Sequence, residues 1–157
     1  MSKEKYILVI ADGSKEMEVA LQYACSRSKK TNRKIIIATF IEPLDVLTTQ
    51  GVTEIMQNEA REEAEKKIQI AASIVKESTG IMPVLQIREG EIMKELKALI
   101  DEEKDINVLV IAANVDEKDN SPGPIINALV SKELSNFRVP VMIVPGNFSK
   151  EYITLLT

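Results

Sequence analysis

At 157 residues the chain is long enough for one domain with one hydrophobic core, burying roughly 70% of the surface its unfolded form exposes. Hydrophobic residues at 45% and charged residues at 28% exclude a disordered or fibrous chain. The 20 Lys and Arg are outnumbered by 24 Asp and Glu, and a net charge of -4 gives no general field for nucleic acid or anionic lipid.

The opening Met1 to Lys5 runs into a strand-like segment without a signal-peptide pattern, and no apolar run nears the ~18 residues of a membrane span. A cytoplasmic domain spanning 1–157, with a short tail from about 147, is the expectation. Tyr6 to Ala11 is almost wholly apolar, as in a strand covered on both faces. Asp12-Gly13-Ser14 stops it, and Met17, Ala20, Leu21, Ala24 and Cys25 then recur at helical spacing, with Ser14 the predicted N-cap. Cys25 falls on that apolar stripe and reads as a buried structural thiol. The basic residues Arg27, Lys29, Lys30, Arg33 and Lys34 surround the helix end, where cations complement the helix dipole.

Lys34 to Ile41 is a second β-branched strand, stopped by Glu42-Pro43. Val52, Ile55, Met56, Ala60, Ala64, Ile68, Ala71, Ala72 and Val75 trace one face of a long helix that ends near Gly80. Glu62 with Lys66 and Glu63 with Lys67 have the spacing of supporting ion pairs on its outer side. Pro83 to Glu89 reads as an edge strand because Gln86 and Arg88 interrupt it. Ile92, Leu96, Leu99 and Ile100 mark a third helix, and Ile106 to Ala113 is the most apolar strand, predicted to be central. After the turn-rich stretch Asn114 to Pro124, the positions Ile126, Leu129, Val130, Leu134 and Phe137 predict a fourth helix. Val139 to Val144 is the last strand, and Phe148, Tyr152, Leu155 and Leu156 space a short helical turn that packs back.

Alternating strands and helices imply α/β architecture, a doubly wound five-stranded parallel sheet with helices on both faces. Ligands in such sheets bind beyond the carboxyl ends of the strands, at the switch point, which here falls on Asp12-Gly13-Ser14 and Ala112-Ala113-Asn114. Those turns, the Glu42-Pro43 and Arg88-Glu89-Gly90 strand ends, and the strands at Val108 to Ala113 and Val139 to Val144 resemble the universal stress protein family over nearly the whole chain. The resemblance implies sheet order 3-2-1-4-5 and homodimers through the last strand, Val139 to Val144. It also implies a nucleotide or ligand crevice at Asp12, Gly13, Ser14, Ile41, Ala112, Ala113, Asn114 and Gly123, with ATP or AMP and Mg the cofactors at issue.

Many members cradle ATP with a Gly-x-x-Gly segment after the fourth strand and a later Gly-Ser or Gly-Thr pair. Here the corresponding positions are Ala113, near Asp116, and near Asn127-Ala128, so the glycines are lost. Asp116, Glu117 and Asp119 bring negative charge to the loop against Lys118 alone, and neither proline of Pro122-Gly123-Pro124 offers an N–H. The loop resembles that of a variant subgroup without the glycine-rich signature.

Asn114, Asp116, Glu117 and Asp119 do not follow calcium-loop spacing, so a solvated loop, and no metal site, is expected. With no histidine, no nucleophile elbow and no Walker loop, no catalytic residue is assigned. The leading expectation is therefore a dimeric stress-response binding module with a protein client. Its alternatives are a nucleotide-binding protein with a non-standard phosphate loop, or a slow ATPase among such proteins, and a structural dimer module without a small-molecule ligand.

Overall fold

The computed structural model describes residues 4–43, 50–116, 118 and 121–157, excepting the side chains of 50–52, 124 and 132. Its elements in chain order are β1 (Tyr6–Ile10), α1 (Met17–Thr31), β2 (Lys34–Ile41), α2 (Gln50–Thr79), β3 (Val84–Glu89), α3 (Ile92–Glu102), β4 (Ile106–Ala113), α4 (Pro124–Leu129), a 3-10 turn (Lys132–Asn136), β5 (Val141–Pro145) and α5 (Lys150–Leu156). The five strands are parallel in the order β3-β2-β1-β4-β5.

The continuous apolar runs are explained by burial on both faces. Ile7 and Val9 of β1 face a core built with Leu21, Cys25, Ile68 and Val75, so α1 and α2 cover that side. Leu8 and Ile10 face Leu96, Leu99, Ile126 and Leu129, so α3 and α4 cover the other. Each such Leu or Ile, buried from water, contributes about 1.5–3 kcal/mol. β1 sends its helix to the first face and β4 sends its helix to the second, which places the switch point between neighbouring strands β1 and β4.

Glycine and arginine punctuate the fold as expected. Gly80, at φ +77°, terminates α2 with its N–H donated to the Lys76 carbonyl at 2.8 Å. Arg88 on edge strand β3 is held by Glu95 at 3.2 Å and by both carboxylate oxygens of Glu102 at 2.8 and 3.1 Å. The last turn of α1 carries Lys29 and Lys30, beside the negative end of the helix dipole.

Five expectations are corrected. Ser14 does not cap α1: the helix starts at Met17 after Glu16, with no side-chain cap. The fourth helix does not run to Phe137, because it ends at Leu129; Ser131 turns back to the Ala128 carbonyl and caps a separate 3-10 turn through Glu133 N–H. Val130 and Leu134 are consequently exposed. On α2 the ion pairs are Arg61 with Glu65 at 3.6 Å and with Glu89 at 3.3 Å, while Glu62–Lys66 and Glu63–Lys67 do not close among the described residues. In the tail, Ile153 is the buried anchor, whereas Tyr152, Leu155 and Leu156 are exposed. The stripe of α2 is also cut short: Ala64, Ile68, Ala71, Ala72 and Val75 are buried, but Ile55 and Met56 stand in solvent.

Candidate functional site

The parallel pairing of β1 with β4 brings the turn after Ile10 and the loop after Ala113 to one rim of the sheet. Asp12 spends its carboxylate on its own turn, accepting the Ser14 N–H at 2.9 Å. Gly13 sits at φ +75°, and a Cβ there would fall 2.8 Å from the Lys67 side chain. Lys67 of α2 therefore lies across the switch-point turn, a position that its reading as an outward-facing surface cation did not reveal. The Ser14 hydroxyl oxygen is buried and has no hydrogen-bond partner among the described residues. A buried orphan hydroxyl is uncommon, and here it marks a polar atom at this turn that a bound group could satisfy.

The remaining predicted residues divide. Ala112 is buried in the core, and Ala113 ends β4 with its carbonyl accepting the Gly146 N–H at 2.8 Å. A Cβ on Gly146 would collide with that carbonyl oxygen and lie 2.8 Å from the Glu16 Cβ. Asn114 lines an open cavity of about 630 Å³ with Lys15, Glu16, Val115, Asp116, Gly146 and Asn147. Ile41 instead lines a separate cavity of about 240 Å³ with Glu42, Pro43, Gln57, Ala60, Glu89 and Gly90, beyond β2 and β3. Lys15, Glu16, Gly146 and Asn147 were missed by sequence reasoning; the parallel order alone predicts that the end of β5 comes beside that of β4.

The loop from Asn114 closes on itself. Asn114 N–H donates to the Pro122 carbonyl at 3.0 Å, and its side-chain amide donates to the Ser121 carbonyl at 3.3 Å. Asp116 N–H donates to the Asn114 side-chain oxygen at 3.0 Å, and Lys118 N–H to the Asp116 carboxylate at 3.1 Å. Gly123, at φ +122° before Pro124, donates its N–H to the Ser121 hydroxyl at 3.2 Å, and the Asn127 amide donates to the same oxygen at 2.9 Å.

A phosphate cradle needs backbone N–H groups aimed outward at an anion. Here the described N–H groups of the loop at 114, 116, 118 and 123 point to internal acceptors. The adjoining cavity carries the carboxylates of Glu16 and Asp116 against one ammonium, Lys15. Among the described residues, these engaged donors and this balance of charge do not fit a triphosphate. Of the oxygen-rich set, Glu117 and Asp119 lie outside the described residues; among the described residues no cluster of acidic and thiol groups is arranged to hold a metal ion. Nor is any helix long and apolar enough to cross a membrane among them.

A family model described as the universal stress protein family matches residues 4–145. No curated protein matches the sequence. Among solved structures, a universal stress protein UspA from Lactobacillus plantarum is similar at 12% identity and TM-score 0.74, over 92% of this chain and 99% of that one. An Archaeoglobus fulgidus universal stress protein in complex with dAMP is similar at 14% identity and TM-score 0.60, over 92% and 99%. A universal stress protein in complex with cAMP is similar at 23% identity and TM-score 0.55, over 93% and 100%. At these identities the structural likenesses show the fold alone.

Proposed function

The chain belongs to the universal stress protein family, and on that premise we propose that it is a dimeric, cytoplasmic stress-response binding module acting through a protein client rather than by turning over a nucleotide. The observation that carries this reading is the self-satisfied loop: Asn114, Asp116, Lys118 and Gly123 commit their backbone N–H groups internally. Offering them to phosphates requires breaking those bonds, at about 1 kcal/mol each. A carboxylate such as Asp116 about 4 Å from a phosphate adds about 1 kcal/mol of repulsion in water and about 4 at an intermediate dielectric.

Support for the dimer comes from β5, an edge strand whose Met142 and Ile143 are 42% and 39% exposed although they point to opposite faces. A single buried cysteine without a disulfide accords with the reducing cytoplasm.

Calorimetric titration with ATP and Mg tests the reading. No saturable binding up to millimolar nucleotide is the expected result, and saturation in that range would overturn it. A second reading, a mononucleotide ligand, is favoured by the orphan Ser14 hydroxyl and by relatives solved with cAMP and dAMP. In that case AMP binds saturably where ATP does not, and Ser14→Ala weakens it.

A further inference from the structure

On the outer surface of the α1 and α2 layer, α5 lies against α1 and borders a further concavity. Its smaller lobe, about 150 Å³, is lined by Lys29 and Lys30 from α1 and Lys150 from α5, with Gln22, Ser26 and Ser78 among the remaining groups and no carboxylate. The larger lobe, about 470 Å³, shares Gln22, Lys29, Ser78 and Lys150 and adds Glu18 and Glu77 at its far side. None of the three lysines forms an ion pair among the described residues, in a chain whose net charge is -4. The nearby basic residue Lys34 is different, since it is neutralised by Glu4.

Position at the end of α1 accounts for Lys29 and Lys30, which complement the helix dipole. It does not account for Lys150, which enters from another element and adds a third ammonium to the same lobe. Burial pushes the Cys25 thiol beneath this surface up, while the charges of Lys29 and Lys150 act together in the opposite direction. The third ammonium and the enclosing wall come from residues beyond 145, outside the segment that matches the family model.

We infer that this lobe binds a small phosphate ester, with the phosphate among Lys29, Lys30 and Lys150 and the hydroxyl-bearing part directed toward Glu18 and Glu77. One carboxylate would balance only one of three ammonium groups, whereas a phosphate carries up to two negative charges and several acceptor oxygens at neutral pH. Lysine suits it as a compact point charge. Gln22, which has no hydrogen-bond partner among the described residues, supplies a neutral donor at the junction of the lobes.

Titration of the full chain with inorganic phosphate and with glycerol 3-phosphate, followed by amide NMR at constant ionic strength, tests the assignment. Saturable shifts at residues 22–30, 78 and 150–154 are expected from both probes, extending to 74–77 only with the ester. Lys150→Ala retains helix propensity and weakens both about fivefold or more, the factor for one ammonium lost at contact in a water-like dielectric. Lys34→Ala leaves both unchanged. Shifts that fail to saturate by tens of millimolar, that persist at full strength in Lys150→Ala, or that centre on residues 114–123 overturn it.

Discussion

Gly146→Ala probes how the end of β5 is locked to the switch-point rim. Gly146 is absent from the positive-φ glycines, so backbone propensity alone predicts a harmless change. The structure predicts otherwise. The new methyl would overlap the Ala113 carbonyl oxygen and approach the Glu16 Cβ to 2.8 Å, and neither is the yielding tip of a long side chain. Overpacking of this kind costs about 1–3 kcal/mol. Displacement also weakens the 2.8 Å bond from Gly146 N–H to the Ala113 carbonyl, worth about 1 kcal/mol. The sum is about 2–4 kcal/mol, or a fall in Tm of about 5–15 °C for a chain of this size. Gly80→Ala is the control: its φ of +77° is strained for alanine, but nothing lies within 4 Å, so the cost is about 1 kcal/mol. Urea unfolding followed by circular dichroism measures both. A Gly146→Ala loss below about 0.5 kcal/mol, or below that of Gly80→Ala, refutes the steric reasoning.

Three further outcomes are expected. The bidentate hydrogen bond from Arg88 holds the Glu102 carboxyl below its ordinary value of 4.5, so its contribution to stability is present above that pH and is lost as pH falls through the lowered value. Arg88→Met should raise the Glu102 titration midpoint in carboxyl NMR, and an unchanged midpoint would contradict the pairing. Ile143→Lys on β5 should convert a dimer at tens of micromolar to a monomer in sedimentation, with the circular dichroism retained; a wild-type monomer removes the edge-pairing idea. Burial pushes the Cys25 thiol up, against a hydrogen bond with Ser78 and the charges of Lys29 and Lys150, so a thiol reagent at pH 7.5 should react slowly with native protein and rapidly in urea. Immediate reaction in native buffer would place the thiol at the surface instead.

That β1, β2 and β4 are covered on both faces was readable because each carries a nearly all-apolar run, whereas the strand order came from the family resemblance. Arg88 signalled an edge for the converse reason: a cation in a strand needs solvent or partners, which Glu95 and Glu102 provide. The loop after β4 was legible as a loss of glycines, but not as a network. Its bonds join Asn114 to Ser121 and Pro122 across a reversal that no local pattern encodes, and Asp116 to Asn114. Ser14 misled because a serine before a helical stripe satisfies the capping rule, yet Asp12 takes the turn's N–H and helix onset slips to Met17. Lys67 was hidden by its i,i+4 glutamate, since helical spacing says nothing of a turn on a neighbouring strand.

The front of α2 has its own consequence. The helix is 30 residues long, about 45 Å, yet its first buried side chain among those described is Ala64. The turns before it bury none of their described side chains, Arg61 there pairs with Glu65 and Glu89, and an isolated helix of only about 12–15 residues is marginal in water. They should unzip from the front while the sheet stays intact, at a free energy well below that of global unfolding. Because Gln57 and Ala60 form one wall of the cavity at Ile41, each such excursion lowers that wall like a drawbridge and admits solvent to the strand ends of β2 and β3.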